Sequence, residues 1–176
     1  MASIMRSLRP VASRFAARTT SGVRTESFAV ALILCTKRWL VDPYTPAKKF
    51  TTEHEWVDVS EDGKTGTLGI SDYAAHALGD VVYVELPTLP MEVEAGDTIG
   101  AVESVKSASD INSPITCTIT EVNNILEEKP GTINNAPEDT GAGGGWIAKV
   151  EIGEQGLKDL EGLMDAAAYK EFSASE

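Results

Sequence analysis

The segment from Gly100 to Asp110 places one lysine among small residues. Apolar and polar residues alternate on both sides of Lys106, which predicts two strands joined by a tight turn with this lysine at its tip. The neighbouring serines and Ala108 carry little bulk, so another protein's active site could close over the amine. A primary amine presented in this way is suited to acylation. The alternative is an ordinary turn lysine that only keeps the surface soluble, as most exposed lysines do.

The residues around Lys106 resemble the lipoyl-attachment hairpin of the glycine cleavage H-protein family. The family pattern Gly-Ala-Val-Glu-Ser-Val-Lys-x-x-Ser-Asp begins at Gly100, and Asn-Ser-Pro follows it at 112–114. That family lipoylates the lysine of this pattern, so the resemblance implies N6-lipoyllysine at Lys106 and lipoate as a covalent cofactor. Biotin carriers have methionines beside the lysine, and lipoyl domains of 2-oxoacid dehydrogenases usually have Asp-Lys-Ala. Neither pattern occurs here.

Two carboxylates are candidates for a cleft beside the lipoyl arm. The motif His-Glu-Trp at 54–56 recurs in the H-protein family, where its glutamate lines the cleft that receives the loaded arm. The resemblance therefore implies this role for Glu55, and Asp110 is the second candidate. The carried group is a primary ammonium, and an acidic cleft would hold it and limit its hydrolysis. On residue type alone, Asp110 could equally be a turn carboxylate that accepts hydrogen bonds from its own backbone.

Three other residues could do chemistry, but none has the sequence partners that a catalytic or metal site needs. We interpret His54 as an ordinary surface or capping histidine and His76 as a structural residue on a short helix. Cys117 stands where relatives usually have glycine, and we interpret it as partly buried. The sequence contains no recognisable Ser/His/Asp set, metal-ligand spacing or cofactor fingerprint, which favours a carrier that is not an enzyme.

Short strands separated by turn signals must position the hairpin. Strands are predicted at 65–70, 80–87, 115–120 and 146–152. Ser71 is predicted to cap a short helix that ends at Gly79, and a second helix is predicted over 165–172. Six or seven such strands indicate a mainly β domain. The resemblance implies a lipoyl/biotinyl-like barrel-sandwich hybrid, with a short internal helix and C-terminal helices beside two sheets around one core.

Three less regular segments carry expectations of their own. Residues 50–59 are predicted to be extended, with Trp56 half buried. The segment from Pro130 to Asn134 resembles an extended segment of the family. Residues 140–144 are longer than the link that the family has before its tryptophan, and we expect a flexible surface loop there. No Lys-Ser/Thr pair follows these glycines and they open no helix, so a phosphate cradle is not favoured.

The formal charge of −12 hides two opposite parts. Residues 1–41 contain seven Lys or Arg and one acid, whereas residues 42–176 contain eight Lys and 26 acids. An Arg- and Ser-rich, acid-poor beginning is typical of a mitochondrial transit peptide. We therefore assign residues 1–47 to a transit peptide and a poorly defined linker, which places the protein in the mitochondrial matrix. Residues 48–176 would form an H-protein domain with a lipoyl-binding core at about 65–150.

The apolar run at 28–35 is too short for a membrane anchor, because a spanning helix needs about 20 residues. Within Phe28 to Val41 the sequence leaves three interpretations open: the end of the leader, a linker, or sequence from a mistaken exon boundary. The acidic body argues against nucleic-acid and membrane partners.

The resemblance implies a shuttle protein of the glycine cleavage system. A pyridoxal-phosphate glycine decarboxylase (P protein) would load the aminomethyl group of glycine onto the lipoamide arm of Lys106. A tetrahydrofolate-dependent aminomethyltransferase (T protein) would remove it, and a dihydrolipoamide dehydrogenase (L protein) would reoxidise the arm. A lipoate ligase or transferase would attach the lipoate. Two other functions stay open: a relay that passes lipoyl groups to other lipoate-dependent enzymes, and a non-lipoylated acidic interaction domain.

Overall fold

A computed structural model describes residues 48–175 of the chain, which contain ten strands and five helices. The predicted transit peptide and linker, with the apolar run at 28–35, lie outside the described residues. In chain order the elements are β1 (Lys49–Phe50), β2 (Glu55–Val59), β3 (Thr65–Ile70), α1 (Asp72–Leu78), β4 (Val81–Glu85), β5 (Met91–Val93), β6 (Thr98–Ser104), β7 (Ala108–Asn112), β8 (Cys117–Val122), α2 (Ile125–Glu128), α3 (Thr132–Asn135), β9 (Ala148–Ile152), α4 (Glu154–Glu161), β10 (Met164–Asp165) and α5 (Ala166–Ser173).

The strands form two antiparallel sheets. The larger has seven strands in the order β10-β1-β2-β3-β9-β8-β5, and the smaller has three in the order β4-β6-β7. The prediction of a mainly β domain with two sheets around one core is confirmed, although the sequence predicted six or seven strands and two of the additional ones are only two residues long. No helix within residues 48–175 is long and apolar enough to span a bilayer.

The larger of two apolar clusters among the described residues contains side chains from both sheets, and the smaller contains Phe50, Trp56, Trp146 and Tyr169. The alternation predicted after residue 114 is confirmed, because Ile115, Cys117 and Ile119 are all buried. Val84 and Val102 of the smaller sheet are also buried and belong to the same cluster. Each such side chain contributes about 1.5–3 kcal/mol through burial, so the hairpin of β6 and β7 is anchored by apolar packing at its base.

Trp56 packs against a glycine on the neighbouring strand. It pairs with Gly69 across β2 and β3, and a Cβ atom at Gly69 would lie only 2.6 Å from the Trp56 ring. The tryptophan is fully buried and not half buried as the sequence predicted. Burial is possible because its indole N–H has an acceptor inside the protein, the Ile70 carbonyl oxygen at 2.7 Å. The predicted continuous extension over 50–59 is also wrong: Phe50 and Trp56 pair across a turn between β1 and β2.

The segment expected to be extended after Pro130 is instead a short helix, α3. The Pro130 carbonyl accepts from the Ile133 amide at 3.1 Å, which starts the helical turn. The turn directs Asn134 towards the junction of α1 and β4. Its side chain accepts from the Val81 amide at 2.9 Å and donates to the Gly79 carbonyl at 2.7 Å. An extended backbone is disfavoured because the partly buried backbone groups at the end of α1 and the start of β4 need these hydrogen bonds.

The glycine-rich loop at 140–144 is held by hydrogen bonds at several points. The Gly141 amide donates to Asp139 at 2.8 Å, and the Gly141 carbonyl accepts from the Trp146 indole at 3.0 Å. Gly144 is buried, and its carbonyl accepts from the Asn123 side chain at 3.0 Å. The expectation of a flexible surface loop is therefore wrong at its buried end, although residues 140–143 are exposed.

Replacing Gly69 with alanine should destabilise the fold. The added methyl group would overlap the buried Trp56 ring, so we expect a loss of about 1–3 kcal/mol in the free energy of unfolding, measured with urea. Gly143→Ala is the matched control, because no heavy atom lies within 4 Å of its added Cβ and the loss should stay below about 0.5 kcal/mol. Equal effects of the two substitutions would contradict the packing at Trp56.

The Cys117 thiol should react slowly in the folded protein. Burial raises its pKa, an effect that a hydrogen bond with Ser113 only partly offsets, and the residue is 6 % exposed. At pH 8 the thiol therefore stays protonated, and thiolate is the reactive form. In a Cys35→Ser background, a chromogenic thiol reagent should modify Cys117 about a hundredfold faster in denaturant than in buffer. Rapid modification of the native protein would show that the thiol is accessible.

Candidate functional site

The turn between β6 and β7 presents Lys106 at its tip, as the sequence predicted. One side chain organises this turn. The Ser104 hydroxyl accepts hydrogen bonds from the amides of Lys106 and Ser107 at 3.2 and 3.1 Å, and it donates to the Ser107 carbonyl at 3.1 Å. The Ser104 amide donates to the same carbonyl at 2.8 Å, and the Val105 amide donates to the backbone carbonyl of Asp80 at 3.1 Å. A serine at this position closes the turn without a glycine.

The Lys106 side chain is exposed, and within residues 48–175 no carboxylate lies within ion-pairing distance of its ammonium. Its methylene groups pass beside Gly79 at the end of α1. A Cβ at Gly79 would lie 3.2 Å from the Lys106 nitrogen, and Gly79 has φ of +79°, which other residues rarely adopt. Gly79 therefore leaves room for the lysine and ends the helix, as the sequence predicted for the helix stop.

A groove of about 310 Å³ lies beside this hairpin. The groove is bounded by the turn before β2, by one face of α1 and by strand β7. Both carboxylates predicted for the cleft, Glu55 and Asp110, are among its lining residues. The other residues around it include His54, Tyr73, Ala74, Leu78, Val102 and Ser109.

Glu55 is a buried carboxylate that joins the two sheets. It is 3 % exposed, and its carboxylate accepts from the Asn112 amide at 3.1 Å and from the Thr51 hydroxyl. The Glu55 amide donates back to the Thr51 hydroxyl at 3.0 Å. Because Glu55 begins β2 and Asn112 ends β7, this carboxylate ties the larger sheet to the lysine-bearing hairpin. A carboxylate oxygen has two lone pairs, so these bonds leave acceptor capacity towards the groove.

Asp110 differs from Glu55 in its surroundings. It lies within β7 and pairs with Ala101, so the interpretation as a turn carboxylate is wrong. Its side chain is exposed, and among the described residues its carboxylate accepts no hydrogen bond. The two acids therefore offer different properties at one groove: Glu55 is fixed by its neighbours, whereas Asp110 is solvated and free to face a cation.

The two histidines occupy opposite environments. The expectation of a surface or capping position for His54 is wrong, because its ring is partly buried, lies 4.6 Å from the Tyr73 ring and is within hydrogen-bonding distance of the Tyr169 hydroxyl. His76 lies on the solvent side of α1 with an 80 % exposed side chain, and its Nδ1 is 3.3 Å from the Asp72 carbonyl. The interpretation of His76 as a structural residue is therefore wrong, because its ring is mostly exposed and its polar contacts within the described residues are to Asp72 on the preceding turn of the same helix.

Three residues of the site were missed by the sequence analysis. Ser104 could have been found, since a serine just before a turn commonly hydrogen-bonds the following amides. Ser71 was predicted as a helix cap, which the 3.1 Å bond from the Ala74 amide confirms, but its place next to the groove was not. No local pattern indicated Tyr169, because it lies 115 residues from His54 and 98 residues from Ser71 in the sequence. Within residues 48–175, no group of three or more His, Cys, Asp or Glu side chains could hold a metal ion.

Comparisons with known proteins identify the family to which this chain is similar. Residues 48–176 match the family model described as glycine cleavage H-protein. A Schizosaccharomyces pombe protein, provisionally named a mitochondrial glycine cleavage system H protein, is 42 % identical over 165 residues and covers 93 % of each chain. Arabidopsis thaliana glycine cleavage system H protein 2, mitochondrial, is 47 % identical over 128 residues, covering 73 % of this chain and 77 % of its own.

A solved structure shows the same fold. The crystal structure of a glycine cleavage system H protein from Mycobacterium marinum superimposes with a TM-score of 0.58 at 33 % identity, covering 74 % of this chain and 96 % of the other. The S. pombe match also extends into residues 1–47, ahead of Lys48 where the family model begins. The chain therefore belongs to the glycine cleavage H-protein family, whose members carry lipoate and shuttle intermediates between the other proteins of the glycine cleavage system.

Proposed function

We propose that Lys106 is the residue through which this chain carries lipoate, as N6-lipoyllysine. The observation that carries the proposal is the exposed amine at the tip of the β6–β7 turn, next to a groove that contains two carboxylates. An amine held in an ion pair would first have to lose its partner before acylation. No such partner exists for Lys106 among the described residues.

The residues present fit a lipoyl arm. Amide formation removes the lysine charge, and the surrounding turn residues are small or polar and leave the tip open on the solvent side. When bound, lipoate supplies a dithiolane that accepts the aminomethyl group of glycine from the decarboxylase and yields it to the folate-dependent aminomethyltransferase. The chain itself holds, shields and presents this cofactor, and it takes the part of a non-catalytic subunit.

The groove would hold the cationic cargo and keep water from it. The Asp110 side chain is exposed, and no described residue pairs with its carboxylate. It therefore supplies a negative charge that can bind an incoming ammonium group. Glu55 adds a second carboxylate whose orientation is fixed by Thr51 and Asn112. The apolar wall formed by Leu78 and Val102 reduces the access of water to whatever the groove holds.

As a glycine cleavage H-protein, the chain works with the P, T and L proteins of that system. A lipoate ligase or transferase would attach the cofactor. Tethering the cofactor to a hairpin tip gives each partner a high effective concentration of it, so weak docking suffices. The acidic charge of the body disfavours nucleic acid and anionic membranes as partners.

The eukaryotic relatives are named mitochondrial, and the proposed location of this chain is the mitochondrial matrix. The Arg- and Ser-rich composition of the N-terminal region supports a transit peptide and linker over 1–47. Residues 48–176 would then be the working domain, with the lipoyl-binding core at about 65–150.

Lipoylation should occur once, and only at Lys106. After incubation with lipoate, ATP and a lipoate ligase, intact-mass spectrometry should show one lipoyl addition to the wild-type chain and none to Lys106→Arg. Lys129→Arg is the matched control, because Lys129 is also an exposed lysine outside the regular elements, and this variant should gain one lipoyl group. Lack of addition to the wild type would leave a non-lipoylated interaction domain as the better account.

Asp110→Asn should shorten the life of the loaded protein without changing its stability. After loading by P protein with glycine, loss of formaldehyde and ammonia should be about two- to fivefold faster, the range of one exposed charge interaction. Glu92→Gln removes an exposed carboxylate from β5, away from the hairpin, and should leave the rate unchanged. Equal rates in wild type and Asp110→Asn would rule out a role for Asp110 in holding the cargo.

Glu55→Gln should affect both stability and cargo lifetime. An amide has one acceptor oxygen, so either Thr51 or Asn112 would face an N–H₂ group in place of an acceptor. We expect a loss of about 1–3 kcal/mol in the free energy of unfolding and faster release of formaldehyde and ammonia. A variant that keeps wild-type stability would show that the buried hydrogen bonds of Glu55 contribute little.

A further inference from the structure

His54 has a backbone conformation that residues other than glycine rarely adopt. Its φ is +71°, and it is the one non-glycine residue within 48–175 with positive φ. Such a conformation costs on the order of 1 kcal/mol and persists only where the surroundings hold it. The strain lies directly before Glu55, and His54 itself lines the groove.

The hydroxyl group of Tyr169, on the C-terminal helix α5, makes two contacts that hold this region. It lies 2.8 Å from His54 Nδ1 and 2.7 Å from the Ser71 hydroxyl. The Tyr169 ring is buried and stacks on Phe50, with ring centroids 4.3 Å apart and an angle of 7° between the planes. The hydroxyl is therefore placed by packing, and its position does not depend on the two hydrogen bonds alone.

These contacts close a ring of hydrogen bonds between three segments. The Ser71 amide donates to the His54 carbonyl at 2.8 Å, and the Ser71 hydroxyl accepts from the Ala74 amide at 3.1 Å. Tyr169 can donate to His54 Nδ1 while it accepts from the Ser71 hydroxyl, an arrangement in which each of these polar groups has a partner. The ring joins the turn before β2, the start of α1 and helix α5.

Two of these three segments form walls of the groove. The turn before β2 contributes His54 and Glu55, and α1 contributes Tyr73, Ala74 and Leu78 before it ends at Gly79 beside the lysine side chain. Helix α5 lies outside the groove but fixes both walls through one oxygen atom.

We propose that Tyr169 is a positioning residue of the groove: its hydroxyl holds His54 and Ser71, and through them the walls that protect the cargo of Lys106. The inference rests on the proposed function, since the groove has a cargo only if the chain carries the arm. It extends that function to the C-terminal helix, whose removal or displacement would open the groove from a distance.

The test is Tyr169→Phe in the full chain. Phenylalanine keeps the ring that stacks on Phe50 and removes the hydroxyl group that contacts His54 and Ser71. In the lipoylated protein loaded by P protein with glycine, release of formaldehyde and ammonia should be about fivefold faster, the factor that one hydrogen bond of typical strength contributes to a local equilibrium. The extent of lipoylation should not change, because the β6–β7 turn is closed by Ser104.

A second readout uses the unmodified protein. Hydrogen exchange of the Glu55 and Ala74 amides should be about fivefold faster in Tyr169→Phe, and the ¹⁵N resonance of His54 Nδ1 should shift. Tyr83→Phe removes an exposed hydroxyl and should change none of these quantities. Ile119→Val is the control for stability, because it weakens the core away from the groove. If Tyr169→Phe acted only through a general loss of stability, the lifetime of the loaded protein would be shortened alike in both variants.

The outcomes separate the two proposals. If the wild-type chain takes no lipoyl group, the proposed function fails, and unchanged exchange in Tyr169→Phe would then overturn the inference as well. If the chain is lipoylated and Tyr169→Phe releases its cargo at the wild-type or Ile119→Val rate, the inference alone is overturned. Faster release in Tyr169→Phe than in Ile119→Val, together with faster exchange at Glu55, supports it.

Discussion

A carboxylate buried between two sheets has to find its hydrogen bonds from both of them, and the geometry of this site depends on that requirement. Glu55 accepts from Asn112 in the smaller sheet and from Thr51 at the turn of the larger one. A buried carboxylate left without donors would be strongly destabilising, so the two sheets can approach each other only in a register that supplies these groups. The lysine-bearing hairpin is held in place at its base by this bond and by the apolar core beneath it.

The Lys106 amine at the tip of the hairpin is in the opposite situation to the buried Glu55 carboxylate, since it is exposed. Under the proposed function another enzyme acylates this amine, so it has to stay exposed and unpaired, in a body whose residues 42–176 carry 26 acids against eight lysines. The structure meets this requirement with a turn closed internally by Ser104 and with a glycine at the point where the lysine passes α1. The nearby acid Glu103 lies in β6, yet no described carboxylate approaches the ammonium within ion-pair distance. The rigid base and the open tip are thus built from separate interactions.

Much of this arrangement follows from local sequence. Period-two alternation located β8, a serine and a glycine bounded α1, and an aspartate at the start of α5 caps that helix with a 2.8 Å bond to the Ala168 amide. These features succeed because they depend on neighbours within four residues. The wrong predictions concern residues whose conformation depends on contacts with distant parts of the chain. The segment 130–134 was expected to be extended, but it is helical because Asn134 must reach the junction of α1 and β4, about fifty residues earlier in the chain.

The sequence by itself determined the position of the lysine, the mainly β architecture and the family, since the motif at 100–114 and the strand pattern are local properties of the chain. The tertiary structure decided which groups share the groove. His54 was expected at the surface and lies instead in an aromatic cluster, because Tyr169 arrives from the far end of the chain and stacks on Phe50. Asp110 proved to be a solvated strand residue, whereas Glu55 proved to be a buried link between sheets. Burial and hydrogen bonding between distant segments arise only when the chain packs, so residue type and spacing could name these side chains but could not assign their environments.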